Sequence, residues 1–233
     1  MSHPDEAAWS KWFNALGRRV IATRNHGHDY EETGDRDHAQ ILRLANLKSA
    51  PRRVLEIGCG DGRVLSWFAS AGADTVGNDV CAQALAEWKK SVQAAGRRGR
   101  HDVVHGGATE LASLAPASFD LIYSIFVLQH VSRRDEIATY ISEATRLLAP
   151  GGVAVLQFRR SGLKTLAHQT VTDCLRLPTK MPSFDRHWRG HRFSRTALQR
   201  IVPEDPAPPS YEIVTVGMHH WLVIPGRVTG FGH

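Results

Sequence analysis

The sequence predicts a doubly wound α/β fold, a mostly parallel sheet of seven strands with helices on both faces. Three observations carry that reading. Short apolar runs alternate with amphipathic stretches from residue 51 to residue 160. The runs are almost continuously apolar, as strands buried on both faces must be. The last two, Tyr211–Val216 and His219–Ile224, are separated only by Gly217 and Met218, a spacing that suits a hairpin and ends the sheet in an antiparallel edge strand.

The elements follow in order. Trp9, Trp12, Phe13 and Leu16 share one face of a first helix, which Gly17 stops. Residues 24–37, RNHGHDYEETGDRD, are polar and aperiodic and read as a loop. A second helix carries Ile41, Leu42, Leu44, Ala45 and Leu47 towards Pro51. Strands are expected at Val54–Ile57, Thr75–Gly77, Asp102–His105, Leu121–Tyr123 and Val153–Phe158. Between them lie a helix over 62–71 (Val64, Leu65, Trp67, Phe68), closed by Gly72, and one over 82–95 (Leu85, Trp88, Val92), closed by Gly96. A third, over 133–148, aligns Ile137, Tyr140, Ile141, Ala144, Leu147 and Leu148, with Ser132 and Asp135 as a capping box and Pro150-Gly151-Gly152 as its end. Residues 161–193 then interrupt the alternation with one weak helical pattern (Leu163, Leu166, Thr170, Leu175) and the stretch PTKMPSFDRHWRGHR. A short helix over 195–202, capped by Ser194, leads into the closing hairpin. The reading is a single domain over 1–233: a helical N-terminal cap (1–50), a core (51–160), an insertion after the fifth strand (161–193), and a closing helix and hairpin (194–233).

A chain of 233 residues, 42% hydrophobic and 22% charged, is within the size and composition of one globular domain. No stretch approaches the roughly 18 consecutive apolar residues of a membrane span. The opening MSHPDEAAWSKWF has early acids and no apolar run, which argues against a secretory leader. Cys59, Cys81 and Cys174 are odd in number and include no CxxC pair, as suits reduced thiols. A cytoplasmic location and no membrane partner are the expectations. The net charge of +6 is spread over doublets (Arg18-Arg19, Arg52-Arg53, Arg97-Arg98, Arg133-Arg134, Arg159-Arg160) rather than one run interleaved with aromatics. It reads as a solvated surface more than as a nucleic-acid footprint. The oligomeric state stays open.

The strongest chemical signal is VLEIGCGDGR, residues 54–63. A buried strand ends in a glycine turn that leads into a helix, where free N–H groups and close backbone approach suit a nucleotide-like ligand. The spacing is GxGxG, not the GxGxxG of dinucleotide dehydrogenases. Glu56 places a carboxylate where a cationic ligand fits and a pyrophosphate does not. A second acid, Asp79, ends the next strand, where ribose hydroxyls are gripped in such folds. The fourth strand reads FDLIYSIFVLQHV and the fifth is announced by LLAPGGVAVLQF.

Together these residues resemble the class I methyltransferases that use S-adenosylmethionine (SAM), well over residues 51–160 and loosely in the closing hairpin. The resemblance implies a Rossmann-like methyltransferase fold and SAM as cofactor. It also implies that Glu56, Gly58, Cys59 and Gly60 line the methionine end, that Asp79 holds the ribose and that Val80 packs on the adenine. The turn HGGATEL would bring Ala108 and Thr109 beside the base, with Gly107 standing where an Asp is common; Ser124, ending the fourth strand, completes the expected cofactor set.

For transfer to a hydroxyl a base must take a proton, and the 13 histidines offer a wide choice. His130, just beyond the fourth strand, is the candidate base, with packing or capping as the alternative. Tyr30, in the polar loop with His26 and His28, is the candidate to cover the cofactor. Carboxylates of that loop could hold a divalent cation such as magnesium, although no ligand spacing requires one. His219 and His220 open the last strand, and one of them can face inward, with surface histidines as the favoured alternative. Residues 161–193 are the candidate specificity element; Trp188 and His191, together with His219, are the candidate acceptor contacts. Phe184, His187, Arg189 and Arg192 add aromatic faces and donors that suit a saccharide. The bland alternative is a cover in which Trp188 fills core space. Ser124-Ile125-Phe126 replaces the [DN]PP[YF] of amino-methylating enzymes, and no Pro-Cys nucleophile is present. The favoured function is a small-molecule O-methyltransferase acting on a saccharide or secondary-metabolite hydroxyl. An RNA- or protein-directed methyltransferase, a non-catalytic SAM-binding protein and an NAD-dependent oxidoreductase are the alternatives.

Overall fold

A computed structural model describes residues 3, 5–16, 30–161, 190–204, 208 and 210–226. The expectations for Gly17, His26, His28, Cys174 and the insertion from residue 162 as far as Arg189 fall outside them, as do the side chains of Trp12 and Leu16. The described elements are α1 (Glu6–Leu16), α2 (Tyr30–Ala45), β1 (Arg53–Ile57), α3 (Leu65–Ser70), β2 (Asp74–Asp79), α4 (Ala82–Ala94), β3 (His101–His105), β4 (Phe119–Ser124), α5 (Arg134–Leu147), β5 (Leu148–Arg159), α6 (Arg195–Gln199), β6 (Glu212–Val216) and β7 (His219–Pro225). A 3₁₀ turn, Thr109–Ser113, links β3 to β4.

The strands form one seven-stranded sheet in the order β3-β2-β1-β4-β5-β7-β6. The pairings β1–β2, β1–β4, β2–β3 and β4–β5 are parallel, whereas β7 runs antiparallel to both β5 and β6. The last strand is therefore antiparallel, as expected, but it lies inside the sheet. The edge beyond it is β6, the other arm of the hairpin. Side chains alternate along β1, so Leu55 and Ile57 join the core beneath α5, and Val54 joins the core beneath α2, α3 and α4. The same alternation turns Glu56 towards Tyr123, its register partner on β4.

Four local expectations change. Residues 30–37 are helical. Glu31 and Glu32 occupy the favourable first turn of α2, and Thr33, Gly34 and Asp37 are its buried face. That face is polar because it meets the glycine turn: Asp37 pairs with Arg63 at 2.8 Å, and a Cβ on Gly34 would lie 3.0 Å from the Arg63 carbonyl oxygen. The helix expected from residue 62 begins at Leu65, because the chain first passes through positive φ at Gly60 and Gly62. Trp67 does not join the core; it remains among the more exposed large apolar residues and stacks on His38. The capping box on α5 does not form, since the Ser132 hydroxyl donates to the Asp5 carboxylate and Arg133 is the cap residue. Ser194 does cap α6, accepting from the Ala197 N–H at 3.1 Å. No helix among the described residues is long and apolar enough to cross a membrane.

Candidate active site

The C-terminal ends of β1, β2, β4 and β5 open into a cavity of about 560 Å³. Its floor is the glycine turn. The Gly58 and Cys59 N–H groups donate to the Asn78 carbonyl, which binds the turn to β2. Gly58 has φ +73°, and a Cβ there would lie 2.2 Å from Val127, so this position requires glycine. Gly60 differs: a Cβ there would meet nothing within 4 Å, which leaves its backbone open to close approach by a ligand.

Carboxylates gather on this side. Asp79 accepts from the Gly60 N–H through Oδ2 and from the Cys81 N–H through Oδ1, both at 2.8 Å. Burial raises its pKa, against the pull of those backbone donors. Glu56 is buried and accepts from the Tyr123 hydroxyl at 2.8 Å. Burial lifts its carboxyl to about 8, despite the opposing effects of that bond and of Arg63. Asp61 accepts a short hydrogen bond from the Tyr30 hydroxyl. Three acids and Arg63 meet at this end of the cavity, where the acid side chains can turn to a cationic ligand.

Other lining residues are of another kind. His130 is buried beside Trp9, ring to ring at 5.3 Å, with its Nε2 at 3.0 Å from Gln129 Nε2. Phe126 lies edge to face with His219 at 5.6 Å, and Arg159 faces His219 across β5 and β7. Burial and the Arg159 charge pull His219 down to about 4. Phe13, Val127 and Met218 also line this cavity.

Glu56, Gly58, Cys59, Gly60, Asp79, Val80, His130 and His219 thus line a single cavity. The other candidates stand apart from it. Tyr30 is not among the lining residues, but its hydroxyl donates to Asp61, which is. Ser124 is fully buried, its hydroxyl donating to the Ile57 carbonyl at 3.0 Å. Ala108 is buried at the start of the 3₁₀ turn, and Thr109 is exposed and donates to Glu110. His3 packs against Gly107 in front of that turn, so close that a Cβ would lie 2.5 Å from its ring. His191 is exposed and touches the site only through its backbone N–H, which donates to the Gln129 carbonyl. Trp188 lies outside the described residues.

Sequence reasoning missed Tyr123, Gln129, Phe126, Arg63, Asn78 and Arg159. A tyrosine inside the apolar run FDLIYS, in register with a buried glutamate, is a signal that could have been used. The glutamine in LQHV carried none. For a cation, the acids of the former loop offer little, Glu31 and Glu32 being exposed. Among the described residues, His3, Asp5 and Glu136 have ligand atoms within 4.8 Å of one another. His3 Nε2 already lies 2.6 Å from Glu136 Oε1, and the Asp5 carboxylate accepts from Ser132.

A family profile described as a methyltransferase domain matches residues 55–156, the span that holds the glycine turn, both acids and His130. Residues 55–156 are a methyltransferase domain of the class I, SAM-dependent kind. Sequence relatives extend the match. The chain is 31% identical to ribosomal RNA small subunit methyltransferase C of Chromohalobacter salexigens over 157 residues, 65% of this chain and 44% of that one. It is 32% identical to malonyl-[acyl-carrier protein] O-methyltransferase of Enterobacter lignolyticus over 139 residues, 60% of this chain and 49% of that one. The chain therefore spans about half the length of these relatives. Magnesium protoporphyrin IX methyltransferase of Synechocystis, solved with bound S-adenosylhomocysteine, shares the fold at a TM-score of 0.63 and 18% identity, over 95% of this chain and all of that one. The cofactor of the methyltransferase domain is SAM, and an open glycine backbone facing three carboxylates fits that cation.

Proposed function

We propose that this methyltransferase domain moves a methyl group from SAM to a hydroxyl of a small molecule. The observation that supports this best is one cavity that holds both acid side chains around an open glycine backbone and a buried histidine with aromatic rings. When bound, SAM supplies a methyl group made electrophilic by its sulfonium charge. In this reading Gly58, Cys59 and Gly60 offer backbone to the methionyl end, and Glu56 meets its ammonium. Asp79, oriented by two backbone donors, accepts from the ribose hydroxyls, and Val80 packs on the adenine. Tyr30 fixes Asp61 and so covers the cofactor indirectly. His130 takes the acceptor's proton as its oxygen forms the new bond to carbon. The apolar wall excludes water and holds the acceptor in line.

Saccharides and secondary metabolites both fall in this class, and Trp188, His191 and the insertion are the proposed source of selectivity. A second reading, transfer to RNA, is favoured by Arg159, Arg160, Arg192 and Arg195, which fall close together at the C-terminal end of β5 and the start of α6. The test is to follow label from methyl-tritiated SAM with the protein offered a polar small-molecule and glycan extract beside total RNA. Label in the extract supports the hydroxyl reading, and label in RNA with a steep salt dependence replaces it. His130→Ala should abolish transfer while leaving S-adenosylhomocysteine affinity unchanged.

A further inference from the structure

The acceptor wall carries three features that the general reaction does not require. The first is backbone strain. Phe126 directly follows Ile125 at the end of β4 and has φ +59°, a conformation that a bulky side chain adopts only under constraint. The constraint is visible: its N–H donates to Oε1 of the buried Gln157 on β5 at 2.8 Å. Strain held in place this way keeps the Phe126 ring on the cavity wall, edge to face with His219.

The second is the character of that wall. Trp9, Phe13, Phe126 and Met218 bring apolar surface, and His219 adds a flat ring that stays uncharged at neutral pH. Against the Phe13, Phe126 and Met218 surfaces a hydroxyl finds no partner, and each buried unpaired polar group is costly. A flat apolar ring carries no such cost.

The third is an unmatched acceptor. Gln129 is buried on the same cavity, and its Nε2 is engaged with the His130 ring. Its Oε1 is buried with no donor among the described residues. A buried carbonyl in that condition favours a ligand that brings an O–H and disfavours an isostere that brings none.

We infer that the acceptor is a flat ring bearing a hydroxyl, of the phenol class, seated against Phe126 with its O–H donated to Gln129 Oε1 in the resting complex, beside the His130 that takes the proton on transfer. This rests on the hydroxyl-methylating reading of the cavity and narrows its substrate class. Phe126 and Gln129 become specificity-determining residues, one reading flatness and the other the donor.

The experiment measures fragment affinity by ligand-observed NMR on the protein saturated with S-adenosylhomocysteine, with phenol, anisole, cyclohexanol and methyl α-glucoside as probes. Phenol should bind about tenfold more tightly than anisole, the gap expected for one buried hydrogen bond. It should also outbind cyclohexanol and the glucoside. Gln129→Met should bring phenol and anisole together. Phe126→Gly, which relieves the backbone strain while removing the ring, should erase the preference for phenol over cyclohexanol. S-adenosylhomocysteine affinity, measured on each variant, reports whether it is folded, and either variant alone suffices. The inference is overturned if phenol does not bind, if anisole or the glucoside binds as well, or if a folded variant keeps the preference it should lose. Binding needs no turnover, so the two readings fail separately. A phenol preference without methyl transfer sinks the catalytic reading alone, and transfer to a sugar without a phenol preference sinks this one alone.

Discussion

Replacing Glu56 with Gln should flatten the pH dependence of stability. The carboxyl is buried and bonded to Tyr123, and burial lifts it from an ordinary 4.5 to about 8. Between those values the folded chain holds a proton that the unfolded chain has released. Stability is therefore full below the lower value and falls by about 1.4 kcal/mol per pH unit until the folded carboxyl ionises. From about pH 5 to about pH 9 the loss sums to about 4 kcal/mol. Glutamine keeps an oxygen for the Tyr123 hydroxyl and never ionises. In urea titrations without SAM, the stability of Glu56→Gln relative to wild type should thus rise by about 4 kcal/mol across that range. Parallel pH profiles for the two proteins would refute the reasoning. The same proton enters binding: a cationic methionyl end favours the ionised carboxylate, so SAM should displace most of one proton near neutral pH. Calorimetry in buffers of different ionisation enthalpy measures that release, which Glu56→Gln should lack.

Asp79→Ala removes the acceptor of two backbone N–H groups and should weaken S-adenosylhomocysteine at least about tenfold; unchanged affinity in a calorimetric titration would exclude Asp79 as a ligand contact. Asp37→Ala leaves the buried Arg63 guanidinium without its carboxylate and should cost about 3–5 kcal/mol of stability in urea titration. A loss below about 1 kcal/mol would mean that Arg63 finds another partner. Gly62→Ala places a Cβ 2.0 Å from the Trp88 ring at φ +85°. Left-handed strain and a displaced core tryptophan together should cost about 2–5 kcal/mol and shift the Trp fluorescence, and wild-type stability would contradict that geometry.

Much of the fold was legible because its strands announce themselves locally. Val54–Ile57 and Val153–Phe158 are apolar runs between turn residues, and Gly217-Met218 marks the hairpin without reference to anything distant. The glycine turn was legible for the same reason, since strand, turn and helix are contiguous. The failures share the opposite property. Residues 30–37 read as loop because a polar helix face made of Thr33, Gly34 and Asp37 can be buried only once Arg63 is beside it. Ser132 read as a cap because nothing local says that Asp5 will take its hydroxyl. Gln129 and Phe126 carry no periodic signature at all; one matters through an unmatched oxygen and the other through a backbone angle imposed by Gln157.

The position of β7 has a consequence for how the chain is made. It follows every other strand in sequence yet sits between β5 and β6, matched to β5 over seven residue pairs. On the ribosome, the parallel half of the sheet can assemble while β5 still presents a bare row of N–H and C=O groups. That edge stays open until residues 219–225 emerge and the hairpin docks. A nascent chain stalled before Met218, or one truncated there, would carry an apolar strand edge as its most adhesive surface and would be a substrate for chaperones before it is a catalyst.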